Sequence, residues 1–125
     1  MFAYKDRLDQ MRRRYSQDKL TTVYVYSEPQ DTASHIRNYY YALPHSWIWA
    51  IDTDGALKTA WGARVVDEAF LFDGEGALRY HGRIDDSVFD PYDVTDKSLE
   101  NAIADLNAGR APRIAETTAI GFPIR

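Results

Sequence analysis

Sulfur chemistry is the first that the residues exclude, because the chain of 125 residues contains no cysteine. Disulfide exchange, peroxide reduction at sulfur and thiolate metal sites all require one. Among the remaining reactive groups, the adjacent carboxylates Asp67 and Glu68 could form a general acid/base pair if burial raised one pKa. Neighbouring side chains on a strand point to opposite faces, however, so the pair does not converge on one atom. Asp85, Asp86, Asp90 and Asp93 offer oxygen ligands to a hard cation such as calcium, without the Asp/Asn alternation, central glycine and distal glutamate of a calcium loop. They read as a solvated acidic loop. His35, His45 and His81 fall on a helix, a loop and a strand, with no two at a metal-ligand spacing. There is no glycine-rich phosphate loop and no serine in a nucleophile elbow. No cofactor is implied.

The other conspicuous chemistry is aromatic, at 14% of residues with nine tyrosines. Trp47 and Trp49 share one face of a short strand and read as core. The run Tyr39-Tyr40-Tyr41 wraps around a helix end, so at least one ring is exposed, and Tyr40 is expected at a protein contact.

These residues are positioned by a series of short elements. Tyr4, Leu8, Met11 and Tyr15 recur at helical spacing and predict a helix over Tyr4–Tyr15. Leu20–Tyr26 is a strand by its Thr, Val and Tyr content, and Asp31 is placed to cap a helix across Thr32–Ala42 that ends before Pro44. Trp47–Ile51 is a strand, followed by a turn or two of helix over Ala56–Trp61. Asp73-Gly74-Glu75-Gly76 joins strands Val65–Phe72 and Ala77–Gly82 into a β-hairpin. After a polar loop over Asp85–Asp93, Thr95 and Asp96 are alternative caps for a helix over Lys97–Asn107, which Gly109 stops. The tail from Ala111 has little periodicity. The order predicts one α/β domain over residues 1–125 with a mixed sheet.

The net charge of −4 argues against a nucleic-acid footprint, although basic residues gather in the first twenty positions. Arg12-Arg13-Arg14 reads as the solvated side of a helix rather than a phosphate contact. No apolar stretch approaches the roughly 18 residues needed to span a bilayer, and there is no signal-peptide pattern. A soluble, cytoplasmic chain without membrane contact is the expectation.

Several segments together resemble the thioredoxin-like redoxins of the peroxiredoxin-like group. These are Trp61-Gly62-Ala63, Glu68 to Asp73, Gly76 to Asp86, Val94-Thr95, Ala108-Gly109-Arg110 and Thr118 to Ile124. The resemblance implies a thioredoxin fold whose central strand delivers a nucleophilic cysteine to the first long helix, where the helix dipole stabilises the thiolate. In this sequence Met1-Phe2-Ala3-Tyr4-Lys5 matches the segment just after that cysteine, so the central strand and the nucleophile are both missing. Where the group carries Thr-Pro with a cis proline, this sequence has Val66-Asp67; where it often carries Gly-Cys, this one has Gly121-Phe122. A cis bond before a non-proline residue costs about 2.5–4 kcal/mol, so Asp67 is expected in trans. The vestigial active-site region would therefore comprise Phe2, Val66, Asp67, Glu68 and Phe122.

The resulting expectation is a truncated thioredoxin-like fold with a mixed sheet of about four strands and flanking helices, acting as a redox-inactive binding or self-association module. The alternatives are a fragment of a thiol oxidoreductase whose cysteine lies outside this chain, and an enzyme using Asp67 and Glu68. The resembled topology places the missing strand between Val23–Tyr26 and Ala69–Phe72. Either those two strands close up and pair, or a second copy covers the gap in a homodimer built on Val23, Tyr24, Val25, Tyr26 and Tyr40.

Overall fold

The computed structural model describes residues 4–15, 19–27, 33–42, 47–52, 54–120 and 124. Phe2, Asp31, Pro44, His45 and Phe122, all singled out above, lie outside them. In chain order the elements are α1 (Lys5–Arg14), β1 (Val23–Tyr26), α2 (Ala33–Ala42), β2 (Ile48–Ile51), α3 (Ala56–Trp61), β3 (Ala69–Phe72), β4 (Leu78–Gly82) and α4 (Ser98–Asn107), with a 3₁₀ turn at Pro91–Asp93. The architecture is α/β.

Among the described residues the strands do not form one mixed sheet. β1 pairs in parallel with β2, Val23 opposite Ile48 through Tyr26 opposite Ile51. β3 pairs antiparallel with β4, Ala69 opposite Gly82. The four strands thus make two separate two-stranded sheets. Direct pairing of Val23–Tyr26 with Ala69–Phe72, one of the two expected remedies, does not occur.

All four strands begin later than the sequence implies, β2 and β4 by one residue and the other two by more. Leu20, Thr21 and Thr22 precede β1 without joining it, and Val65–Glu68 precede β3. The shortening of β3 has a local cause. Asp67 takes a left-handed backbone conformation, φ 67°, which no strand accommodates. The described residues contain no cis peptide, so Val66–Asp67 is trans as expected.

The hairpin turn forms as its sequence dictates. Gly76 supplies a positive φ of 84°, and the Asp73 carboxylate accepts from the N–H groups of Glu75 (2.9 Å) and Ala77 (3.0 Å). Neither expected cap starts α4. The residue before it is Lys97, while the Asp96 carboxylate accepts from Ser98 Oγ at 2.9 Å and pairs with Arg83 at 2.6 Å. The main-chain oxygen of Ile84 takes up the Leu99 N–H instead. Gly109, at φ 78°, ends the helix as its sequence implies.

The core lies between α1, α4 and the β3–β4 sheet: Tyr4, Met11, Leu71, Tyr80, Ile84, Leu99, Ala102 and Ile103. Each large side chain here contributes about 1.5–3 kcal/mol by leaving water. The tail that lacked periodicity is part of this unit. His81 donates its N–H to the Ala115 carbonyl, and Thr117 donates to the His81 carbonyl, so 115–117 borders the second edge of β4. Thr117 Oγ1 also meets the Tyr80 hydroxyl (2.7 Å) and the Arg83 N–H (2.9 Å). Among the described residues no helix is long and apolar enough to cross a membrane.

Candidate binding cleft

Alternation along a strand determines which backbone groups are free. The Asp52 N–H donates to the Tyr26 carbonyl, so Tyr26 turns its polar backbone toward β2. Val25 and Val23, at odd steps from it, turn theirs the other way. On the second sheet His81 spends its N–H and carbonyl on 115–117. Its register partner Phe70 is thus in a non-hydrogen-bonded pair and faces away from β4. The edges of β1 and β3 that have no strand partner among the described residues both line one cleft of about 510 Å³.

That cleft gathers Val23–Tyr26 and Val66–Glu68, which lie some forty residues apart in sequence. Leu8 and Met11 of α1 line it with Leu99 and Ile103 of α4, and Leu57 and Trp61 of α3 contribute further lining. Trp61 packs on Phe70 and Phe72 with ring centroids 5.4 and 5.2 Å apart. Most of the lining is apolar. Glu68 is occupied locally, its carboxylate accepting from the Arg64 N–H at 3.0 Å.

Asp67 is different. Among the described residues its Oδ1 is buried without a hydrogen-bond partner, and burial pushes its carboxyl up to about 6, with the N-terminal ammonium opposing the rise. Strain, burial and an unmet acceptor at one residue of a cleft form a combination found at ligand sites. Asp67 and Glu68 do not act as the carboxylate pair considered from sequence, since Glu68 holds the 64–65 backbone. The Tyr4 hydroxyl is likewise buried without a partner. Burial raises it to about 12, with Asp85 and Asp67 adding to the rise and Arg7 and Arg83 opposing it.

Tyr40 does not belong to the cleft. Its ring meets Trp49 edge-on at 5.4 Å and is 43% exposed. Trp49 also stacks on Tyr24 at 5.4 Å and lies 5.6 Å from Tyr26. Two of the five residues expected at a partner contact, Val23 and Val25, thus aim their backbones into the cleft; Tyr24 and Tyr26 spend theirs on β2.

The acidic loop is not simply solvated. Asp85 is buried and receives Arg7 Nη1 on both oxygens (2.8 and 2.7 Å), while the same guanidinium donates to the carbonyls of Ser87 and Val88. Asp86 accepts from the Thr95 hydroxyl and from the N–H groups of Asp96 and Thr95, bonds that hold it down at about 2. Asp90 accepts from the Tyr92 N–H. The arginine run is engaged as well, with Arg12 and Arg13 on Asp9 and Arg14 on Glu100.

Two organising carboxylates were not singled out from sequence. Asp52 accepts from the N–H groups of Leu57 (3.1 Å) and Lys58 (2.9 Å) at the start of α3, bonds that lower its pKa. Asp105 gathers Arg110 and Arg113 at the end of α4. The signal was available for Asp52, an Asp four residues before a predicted helix. Asp105 gave none, sitting inside its helix.

No family model and no curated protein sequence matches the chain. Among solved structures it is similar to a hypothetical protein from Sinorhizobium meliloti 1021, with a TM-score of 0.81 and 24% identity over 98% of this chain and 70% of that one. It is also similar to an uncharacterized conserved protein from Geobacillus kaustophilus, with a TM-score of 0.83 and 21% identity over 98% of this chain and 68% of that one. At these identities the likeness shows a shared α/β fold and carries no activity with it.

Proposed function

We propose that this chain is a cysteine-free, thioredoxin-like domain that works by binding another polypeptide in the cleft between its two sheets, without redox catalysis. The observation that carries the reading is the cleft itself, lined by two strand edges whose backbone groups at Val25 and Phe70 have no strand partner among the described residues. The resemblance to the peroxiredoxin-like redoxins supports the same reading, because it places a missing strand between these two strands. A binding test is direct. A display library of random ten-residue peptides, selected against the immobilised full chain, should enrich sequences that bind in calorimetry and are competed by one another. A library that yields no binder sinks the reading.

Redox inactivity is checked separately. Insulin-disulfide and hydroperoxide reductase assays with metal-free protein should stay at buffer background at every pH, since both reactions need a thiolate. Self-association is a second reading, favoured by apolar side chains left open on the β1–β2 sheet, with Val23 47% and Ile48 44% exposed. Light scattering at high micromolar concentration decides it, a monomer ruling out the homodimer.

A further inference from the structure

Resting on the reading of the cleft as a polypeptide site, we infer that its occupant is a single extended strand of a different protein, inserted between β1 and β3, hydrogen-bonded to both, and carrying a donor group that meets Asp67. Size is the first argument. A four-residue strand about 13 Å long, with strands about 4.8 Å apart and a layer about 10 Å thick, fills roughly 600 Å³, comparable to the 510 Å³ available. The strands on either side are themselves four residues long.

Backbone chemistry is the second argument. Val25 and Phe70 both line the cleft and, among the described residues, have no strand partner for their N–H and carbonyl groups, and another backbone supplies donors and acceptors at matching intervals on both of its sides. The lining is largely apolar, Met11 and Ile103 included, which suits apolar side chains on the guest. The third argument is charge. A buried carboxylate oxygen without a partner is costly, and a lysine, arginine or amide donor on the guest removes that cost.

A second copy of the chain is a poor source for this strand. Among the described residues every strand is already paired, and 115–117 is held against β4. Lending any of them would break an existing ladder.

Peptides enriched from the display library provide the test, as synthetic ten-residue probes in calorimetry and amide hydrogen exchange with the full chain. Bound peptide should slow exchange at both Val25 and Phe70. Methylating alternate backbone nitrogens of the peptide should weaken binding by at least about tenfold, the loss expected when ladder hydrogen bonds are removed. Asp67→Asn should weaken peptides that carry Lys or Arg by about tenfold and spare their neutral analogues, with circular dichroism unchanged. Binders that protect neither amide, or that tolerate every methylation, overturn strand insertion while leaving the cleft a binding site. Protection of both amides in the peptide-free chain that grows with protein concentration overturns the assignment to a different protein. Equal binding by the Asp67→Asn chain overturns the role given to Asp67. Failure to enrich any peptide overturns this inference together with the function proposed above.

Discussion

The β3–β4 sheet and the β1–β2 sheet are built from strands of similar length, yet their surroundings differ. The first is closed on three sides: α1 and α4 cover it, the Asp73 turn joins it, and 115–117 borders the far edge of β4. The second rests mainly on aromatic stacking of Tyr24, Tyr26, Tyr40 and Trp49, and leaves Val23 and Ile48 open. The contrast is between a sheet buried under two helices and one that leaves apolar side chains open. The carboxylates beside the first sheet, Asp73 and Asp85, are met within the chain, whereas Asp67 Oδ1 at the cleft has no hydrogen-bond partner among the described residues.

The comparison breaks most sharply at Gly82. Its φ is 141°, and a Cβ there would collide with the Thr117 carbonyl oxygen and hydroxyl. Gly82→Ala should therefore cost more than about 4 kcal/mol in urea unfolding, through strain and loss of the tail. A loss under about 1 kcal/mol would show that the tail does not belong to the β3–β4 unit. Arg7→Ala comes next, because it strands the buried Asp85. The expected loss is about 3–5 kcal/mol, largely restored by adding Asp85→Asn if the stranded charge is the cause.

Asp67→Asn sharpens the comparison from the other side. The folded-state pKa of Asp67 is raised to about 6, above its unfolded value, so the wild-type group is neutral and harmless below about pH 4. The stability it allows is lost as pH rises through 6, where the carboxylate ionises against the cost of burial, which the N-terminal ammonium offsets only in part. Asp67→Asn should gain roughly 1–2 kcal/mol over wild type at pH 7, after allowance for partial solvent screening, and nothing at pH 4. A gain independent of pH would exclude ionisation as its source.

The smallest expected effect is at Val25. Its N–H faces the cleft, so Val25→Pro removes no β1–β2 bond and should cost less than about 1 kcal/mol, while Tyr26→Pro breaks the ladder and costs about 3 kcal/mol. Equal losses would mean that the alternation along β1 is misassigned.

Much of the fold is legible in the chain because local signals are strong where packing agrees with them. The Tyr4–Tyr15 stripe, the Asp73–Gly76 turn and the Gly109 stop each name their element. What is not legible depends on partners distant in sequence. The Arg7 contact with Asp85 spans 78 positions, and nothing in either segment announces it. The same holds for 115–117, whose apolar pattern is weak because its bonds are made by backbone to His81. At the cleft, Val66–Glu68 and Val23–Tyr26 could be singled out separately. The early end of β3 could not, since a left-handed Asp67 is set by its surroundings and by no rule of composition.

Trp61 gives the cleft a built-in optical signal. The indole lies against Phe70 and Phe72 on the cleft wall and is 38% exposed, whereas Trp47 is buried and Trp49 is enclosed by tyrosines. Water reaching Trp61 from the cleft red-shifts its emission, and a bound peptide beside it would exclude that water. With Trp47 and Trp49 each replaced by Phe, a blue shift and reduced acrylamide quenching would report filling of the cleft in real time, without any label.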